Sequence, residues 1–322
     1  MRAVLRRRAQ NLTVADIKWC DIASSGLLRF DGLDTQAFLQ GQLTSNVQLL
    51  SQARSQYSGY CTAKGRLLAC LLLWQREGAV HMMLPRELCE PVRKRLSMYI
   101  LRAKVKTVDV SAEHVFFGIS GDGAAAIITS LHSALPATVH DVAHGDGFSI
   151  VKLPVHRYLI AASPSAAVAI AAALTKITAA SPASLWPQLD IEAGIPSVVG
   201  ATQEQFVPQT VNFDFIGAVS FDKGCYPGQE IVARMHYLGK LKQRMVRARI
   251  VSSDAPAPGD KLYSDAFGDQ ASGMIVNAVS RDASHHDVLA VIQTGSIEKS
   301  DVHFQSPDGP PLQIAALPYL VK

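Results

Sequence analysis

Cysteine is scarce in this 322-residue chain and never paired. Cys20, Cys61, Cys70, Cys89 and Cys225 are odd in number, scattered, and form no Cys-x-x-Cys. That argues against a disulfide framework and against a self-contained zinc or iron-sulfur site, and it fits a reducing compartment. Long apolar runs are missing as well. No stretch of 18 apolar residues occurs, so no spanning helix is expected, and the N-terminus lacks the apolar segment of a secretory signal. Arg2, Arg6, Arg7 and Arg8 resemble an organellar leader only faintly, because no serine-rich stretch accompanies them. The cytoplasm is the expected location. Charge is sparse too: 31 Lys and Arg stand against 27 Asp and Glu, a net charge of +4. Beyond Arg6 to Arg8 no basic run is interleaved with aromatics, so direct contact with nucleic acid is not expected. The ten histidines make no His-x-x-His pattern, and His285-His286 falls in a polar stretch, so all are read as surface residues.

What remains is an ordinary, rather apolar globular chain, 48% hydrophobic and long enough for two or three domains. Gly26 to Phe30 reads as a strand, and Asp31 or Asp34 can cap a helix carrying Phe38, Leu39 and Leu43. Tyr57 to Thr62, Leu67 to Trp74 and Val80 to Leu84 read as strands. After Pro85, the spacing of Leu88, Val92, Leu96 and Ile100 predicts an amphipathic helix with Arg93, Lys94 and Arg95 outward. A second unit, about 109–180, follows. It has a strand at Val115 to Ile119, a helix capped by Asp122, strands at Phe148 to Leu153 and Arg157 to Ala161, and a helix opened by Ser163-Pro164 and running toward Ala180. Strand, helix, strand, strand, helix is most of a ferredoxin-like unit, and its missing strand must come from elsewhere, so the two halves are expected to interleave. Beyond residue 240 the texture changes to short strands (Met245 to Val251, Lys261 to Tyr263, Gly273 to Val279, Val288 to Ile292, Ile314 to Val321) with Pro and Gly turns between them, which predicts a small β-barrel.

One stretch stands apart chemically: Ser220-Phe221-Asp222-Lys223-Gly224-Cys225-Tyr226-Pro227-Gly228-Gln229-Glu230-Ile231-Val232-Ala233-Arg234. Gly224 and Gly228 bracket Cys225 and free the backbone around it, while Pro227 stiffens the turn. The sulfur is therefore expected to be presented to solvent, with Lys223, and Arg234 beyond the turn, favouring its thiolate. From Gln229 onward the pattern fits either a short helix or a strand. Trp74, Met82 and Met83 are assigned to the core.

Lys223-Gly224-Cys225-Tyr226-x-Gly228-Gln229-Glu230 followed by Val232-Ala233-Arg234 resembles the signature of the YgfZ-type folate-binding proteins, relatives of the glycine-cleavage T-protein (aminomethyltransferase). The resemblance extends to Leu189-Asp190-Ile191-Glu192-Ala193-Gly194-Ile195-Pro196, Phe206-Val207-Pro208-Gln209, Phe38-Leu39-Gln40-Gly41-Gln42-Leu43-Thr44 and Cys61-Thr62-Ala63-Lys64-Gly65-Arg66, and so covers most of the chain. It implies an α+β fold: two intertwined ferredoxin-like α/β units (residues 1–235) around a folate pocket, then a C-terminal β-barrel (240–322). It also implies that Glu192 faces the pterin, where a carboxylate can accept two hydrogen bonds from the amino-pyrimidine edge. Lys64 and Arg66 are placed to meet the glutamate tail of the folate, with Tyr226, Gln229 and Arg234 as further contacts.

One departure limits the chemistry. T-proteins carry an aspartate pair, the first member catalytic, where this chain has Ala69 and Cys70, and an alanine moves no protons. Aminomethyl transfer is therefore not expected. The resemblance implies instead a tetrahydrofolate-binding accessory protein for iron-sulfur cluster maintenance, with indirect effects on tRNA modification. Its partners would be iron-sulfur enzymes or cluster carriers. A single thiol cannot hold a cluster that ordinarily takes four ligands, so Cys225 would act transiently, as a redox or sulfur-handling group. The alternative is a folate-dependent one-carbon transferase or demethylase of a small amine, with Cys225 or Asp222 replacing the lost aspartate.

Overall fold

A computed structural model describes residues 17–132, 134–239, 241–299 and 301–321. The basic residues Arg2, Arg6, Arg7 and Arg8 lie outside them. The chain opens with β1 (Lys18–Asp21) and β2 (Ser25–Asp31), followed by helix α1 (Thr35–Gln40), a three-strand meander of β3 (Gln56–Cys61), β4 (Leu67–Arg76) and β5 (Ala79–Pro85), helix α2 (Arg86–Ser97) and β6 (Lys106–Asp109). The most apolar run of the sequence becomes β4, which is buried along its first eight residues because both faces of its sheet are covered. The sheet order is β3-β4-β5-β2-β6. On one side Leu88, Val92 and Leu96 of α2 and Leu39 of α1 cover Leu68, Ala69, Leu71 and Leu73; on the other, Leu67, Cys70, Leu72 and Trp74 face the middle of the molecule. An irregularity in register opposite Tyr60 and Cys61 sets that phase.

The second unit is β7 (Val115–Ser120), α3 (Ala124–Leu131), β8 (Val142–Gly145), β9 (Phe148–Leu153), β10 (Arg157–Ala162) and α4 (Pro164–Thr175), with sheet order β1-β7-β10-β9-β8. Its missing strand is β1, paired antiparallel to β7 with Trp19 opposite Ile119. The two ferredoxin-like units thus exchange chain, as the strand count requires. Helix α5 (Leu185–Glu192) and helix α6 (Gln229–Tyr237) lead to the third unit: β11 (Gln243–Val251), β12 (Lys261–Ser264), β13 (Gly273–Ser280), β14 (His285–Gln293), α7 (Thr294–Lys299), β15 (Val302–Phe304) and β16 (Leu312–Ala315). Its six strands run β15-β12-β13-β14-β11-β16, and a bridge between His303 and Pro311 nearly closes the barrel.

Local details differ from the sequence reading. Asp34 stands at the N-cap of α1 but makes no cap bond, because its carboxylate accepts the Lys104 amide instead (2.7 Å). Asp122 does not cap α3, whose N-cap is Gly123, whereas Ser163 does cap α4, which stops at Thr175. Helix α2 ends at Ser97, short of Ile100. Strand β16 ends at Ala315, and β1, β6, β8 and β15 have no counterpart in the sequence reading. The histidines are not all at the surface: His286, the second residue of β14, is buried between Ser280 Oγ (2.9 Å) and Ser252 O (3.0 Å), and His81 lies flat on Trp74 at 5.6 Å.

A single central cluster draws Cys20 and Trp186, Leu72 and Met83, Phe213, and Met245, Val276 and Leu289 into contact, so all three units share one core. No helix among the described residues is long and apolar enough to cross a membrane.

Candidate functional site: a central cavity and the Cys225 loop

Four of the sequence stretches singled out above, far apart in the chain, meet at the Cys225 loop. The Lys223 ammonium donates to the carbonyls of Gln40 (2.6 Å), Leu43 (2.5 Å) and Ser45 (2.9 Å). These carbonyls lie at and just beyond the C-terminal end of α1, where a cation is favoured. Thr44 Oγ1 donates to Ala218 O and the Ser220 amide to Thr44 O, which stitches the same two segments together. Gly228 (φ +84°) and Gly65 (φ +70°) touch backbone to backbone; a methyl on Gly228 would stand 2.5 Å from Thr62 O and 2.6 Å from the Gly65 amide nitrogen. Gln209 Nε2 donates to Val232 O (2.6 Å) and ties down α6. The residues from Gln229 therefore form a helix, begun at the left-handed Gly228.

The loop presents its thiol. Cys225 is exposed while the other four cysteines are buried, and a methyl on Gly224 would meet nothing within 4 Å. Burial raises the thiols of Cys20 and Cys89 to about 11 and that of Cys70 to about 12, and pushes Cys61 up as well. Lys223 is itself pushed down to about 8 by burial, and its three donors are committed to carbonyls, so it has no hydrogen bond left for the Cys225 sulfur. Its structural work is to hold the loop. Tyr226 is buried with its ring 5.0 Å from the Lys223 ammonium, and burial raises its phenol. Gln229 Nε2 reaches Lys223 O at 3.4 Å. Lys64, Arg66 and Arg234 are exposed; Lys64 and Arg66 flank Gly65, which touches Gly228, and Arg66 donates to Gln205 O (2.8 Å).

The large cavity lies elsewhere, between the three units. It holds about 300 Å³ and is walled by Tyr57, Cys70, Leu72, Met83, Trp186 and Phe213 among others, with Asp190 as its one charged side chain. No residue of the 220–234 stretch belongs to its walls. Asp190 is held by Arg157, whose Nη1 donates to Oδ1 at 2.7 Å. Arg157 is fully buried; its Nε donates to Pro154 O, and its guanidinium lies 5.0 Å from the Trp186 ring. Trp186 in turn fits over β7 because residue 118 is glycine: a methyl there would stand 2.1 Å from the indole. Burial raises the Asp190 pKa, with Arg157 pulling the other way.

Glu192 is not among these walls. Its Oε1 accepts from Gln188 Nε2 and Arg281 Nη2, both at 3.0 Å, and it borders a second, more open recess, also of about 300 Å³, with Arg247, Leu317 and Pro318. Of the Ala69–Cys70 pair, Cys70 faces the cavity and Ala69 the other layer. Sequence reasoning missed Asp190 and Arg157. The signal was present in helical spacing: Trp186 and Asp190, four apart on α5, share one face, and Gln188 and Glu192 share another.

Two α/β units exchanging a strand and followed by a nearly closed barrel, around one cavity, are the fold of the glycine-cleavage T-protein. The aminomethyltransferase T of the glycine cleavage system from Bartonella henselae superposes with a TM-score of 0.76 over 95% of this chain and 86% of its own, at 14% identity. No family model matches the chain. Among curated proteins, the tRNA-modifying protein YgfZ of Sodalis glossinidius (strain morsitans) is 30% identical over 299 residues, covering 92% of this chain and 90% of its own length. That of Klebsiella pneumoniae (strain 342) is 30% identical over 297 residues, covering 91% and 90%. The chain belongs to the YgfZ family.

Proposed function

We propose that this protein binds tetrahydrofolate in the central cavity and serves as an accessory factor in iron-sulfur cluster maintenance, acting on tRNA modification through cluster-dependent enzymes. The observation that carries the folate part is the cavity: about 300 Å³, largely apolar walls with aromatic rings among them, and a single carboxylate. A pterin has an aromatic face and an edge of adjacent N–H donors, and needs those two things. The exposed Cys225 on a loop braced by three other segments of the chain supports the second part, since sulfur or cluster handling requires an accessible soft ligand. Lys64, Arg66 and Arg234 supply exposed positive charge for an anionic group near that loop. Folate, when bound, contributes a carrier for one-carbon units; the chain itself supplies the walls, the carboxylate and the thiol. Neither Cys225 nor Asp222 lines the cavity, which weighs against their replacing a catalytic aspartate there.

Titration calorimetry with 5-formyltetrahydrofolate under reducing conditions tests the first part. One saturable site is expected, and no heat of binding would overturn it. The second part is read in a strain lacking the protein: cluster-enzyme activity should return with the wild-type chain and stay low with Cys225→Ser. Turnover of a folate on incubation with small amines would favour the transferase alternative.

A further inference from the structure

We infer that the seam between the two α/β sheets carries a second binding site, apart from the central cavity, for a small oxyanion, with the His81 imidazole as its main donor. The inference stands whether or not the central cavity takes a folate. Three observations carry it.

The first is a recess with its own walls. A cavity of about 170 Å³ lies between β4 and β5 of the first sheet and β9 and β10 of the second, and it shares no lining residue with the central cavity. Trp74 and His81 line it from the first sheet, Ser149 and the N-cap Ser163 from the second unit.

The second is a pair of idle donors. His81 is 6% exposed, its Nδ1 has no hydrogen-bond partner, and the ring bonds to no other described residue. Trp74, buried beneath it, likewise gives its indole N–H to no described residue. The imidazole is held flat on Trp74 and lies 6.0 Å from His114, edge to face, so its plane is fixed. His114 is no partner for it, because its Nδ1 is engaged by Val110 O (3.1 Å). Buried polar groups in folded proteins are bonded, and one left bare inside a recess marks the place of a guest.

The third is the sign of the field. Burial pushes His81 down to about 4, and His114, Arg29 and Arg76 push the same way, with only Asp31 opposing. The carboxylates of Asp31 and Glu77 are taken up by Arg29 Nε and Arg76 Nε. Arg76 Nη1 and Nη2 hold Phe148 O and Gly145 O, so this residue lends the recess its charge and not a hydrogen bond. Ser163 caps α4, whose aligned amides add positive potential at the same end. Ser149 Oγ is paired with His144 Nδ1 (3.0 Å) and adds no charge. A cation entering this field meets the opposition that keeps His81 neutral, whereas an anion relieves it and draws a proton onto the ring.

Tetrahedral and planar oxyanions share this chemistry, and sulfate and formate serve as the two probes because neither changes charge between pH 5 and 7. The full chain is titrated with each at constant ionic strength, with the histidine ring signals followed by NMR. Saturable binding by at least one is expected, and the midpoint of the His81 titration should move from about 4 toward the ordinary 6.5. By linkage the affinity rises as the pH falls through the bound-state midpoint, about 10-fold or more between pH 7 and pH 5. The preferred probe tells a phosphate- or sulfate-like guest from a carboxylate. His81→Gln should bind at least about 10-fold more weakly at pH 5 and lose the pH dependence; the wild-type titration needs no variant to fold. An unmoved His81 midpoint, or no saturation by either anion, overturns the inference. So does equal stabilisation of wild type and His81→Gln by sulfate, which is general salting. Zinc bound at pH 7 in preference to both anions, and lost in His81→Gln, makes the recess a cation site and overturns it as well.

Discussion

Cys225 is an exposed thiol, and Lys223, bonded to three backbone carbonyls, is the brace of the loop that carries it. Two measurements separate these roles. Native protein treated with a maleimide at neutral pH should take up one equivalent, mapped to the Cys225 peptide, and denatured protein five. Early labelling of Cys20, Cys61, Cys70 or Cys89 would contradict their burial. Lys223→Met should lower stability by roughly 2 to 3 kcal/mol in urea titrations, because three carbonyls lose a charged donor at once. Labelling of Cys225 should be hardly slower. An unchanged midpoint would mean water replaces the ammonium without cost. At this scale the sequence was legible where chemistry is written in residue type, as with an unusual cysteine between glycines. It was opaque where the partner is a backbone carbonyl 180 residues away, because a carbonyl leaves no mark in sequence.

Elements carry a matched pair of glycines with opposite expectations. Gly228→Ala places a methyl 2.5 Å from Thr62 O at φ +84°, and should cost about 1 to 3 kcal/mol and loosen the start of α6. Gly224→Ala meets nothing within 4 Å and should melt like wild type. Equal melting temperatures for the two would refute the contact between the turns. A second prediction concerns the sheets. Burial pushes His81 and His140 down to about 4, so the unfolded chain, titrating near 6.5, takes up protons first as the pH falls. The stability present above pH 6.5 is therefore lost progressively between about 6.5 and 4, His81 accounting for on the order of 3 kcal/mol. Melts from pH 7.5 to 4.5 should show the decline, and His81→Gln should flatten it. Period-2 and period-3.6 patterns made the principal strands and helices readable, but the same periodicity, applied to α5, separates Asp190 from Glu192 by about 200° around the helix. Reading the stretch as a family motif and not as a helix hid the cavity-facing member.

For the whole molecule the shared core is decisive. Met245, Val276, Leu289 and Val291 of the barrel belong to the same cluster as Leu72, Phe116 and Trp186. Heating should therefore give one calorimetric transition, and a chain ending at residue 240 should bind the dye ANS and lack near-ultraviolet circular dichroism. A well-packed fragment would show that the barrel is an independent passenger. The α+β class and the barrel were visible in turn spacing. The interleaving was deducible because a ferredoxin-like unit short of one strand must take it from elsewhere, but which strand it takes depends on pairing that no local window contains.

That borrowed strand bears on how the protein is made. Trp19 pairs opposite Ile119, so β1 leaves the ribosome 100 residues before β7 exists. At about 5 to 20 residues per second this is a wait of roughly 5 to 20 seconds, with Trp19, Cys20 and an unpaired strand edge in the open. During that interval the nascent chain offers an apolar segment of the kind that folding helpers hold. Its yield in a cell should therefore respond to the supply of such helpers at the tunnel exit and to translation speed between codons 21 and 120, more strongly than the stability of the finished fold would indicate.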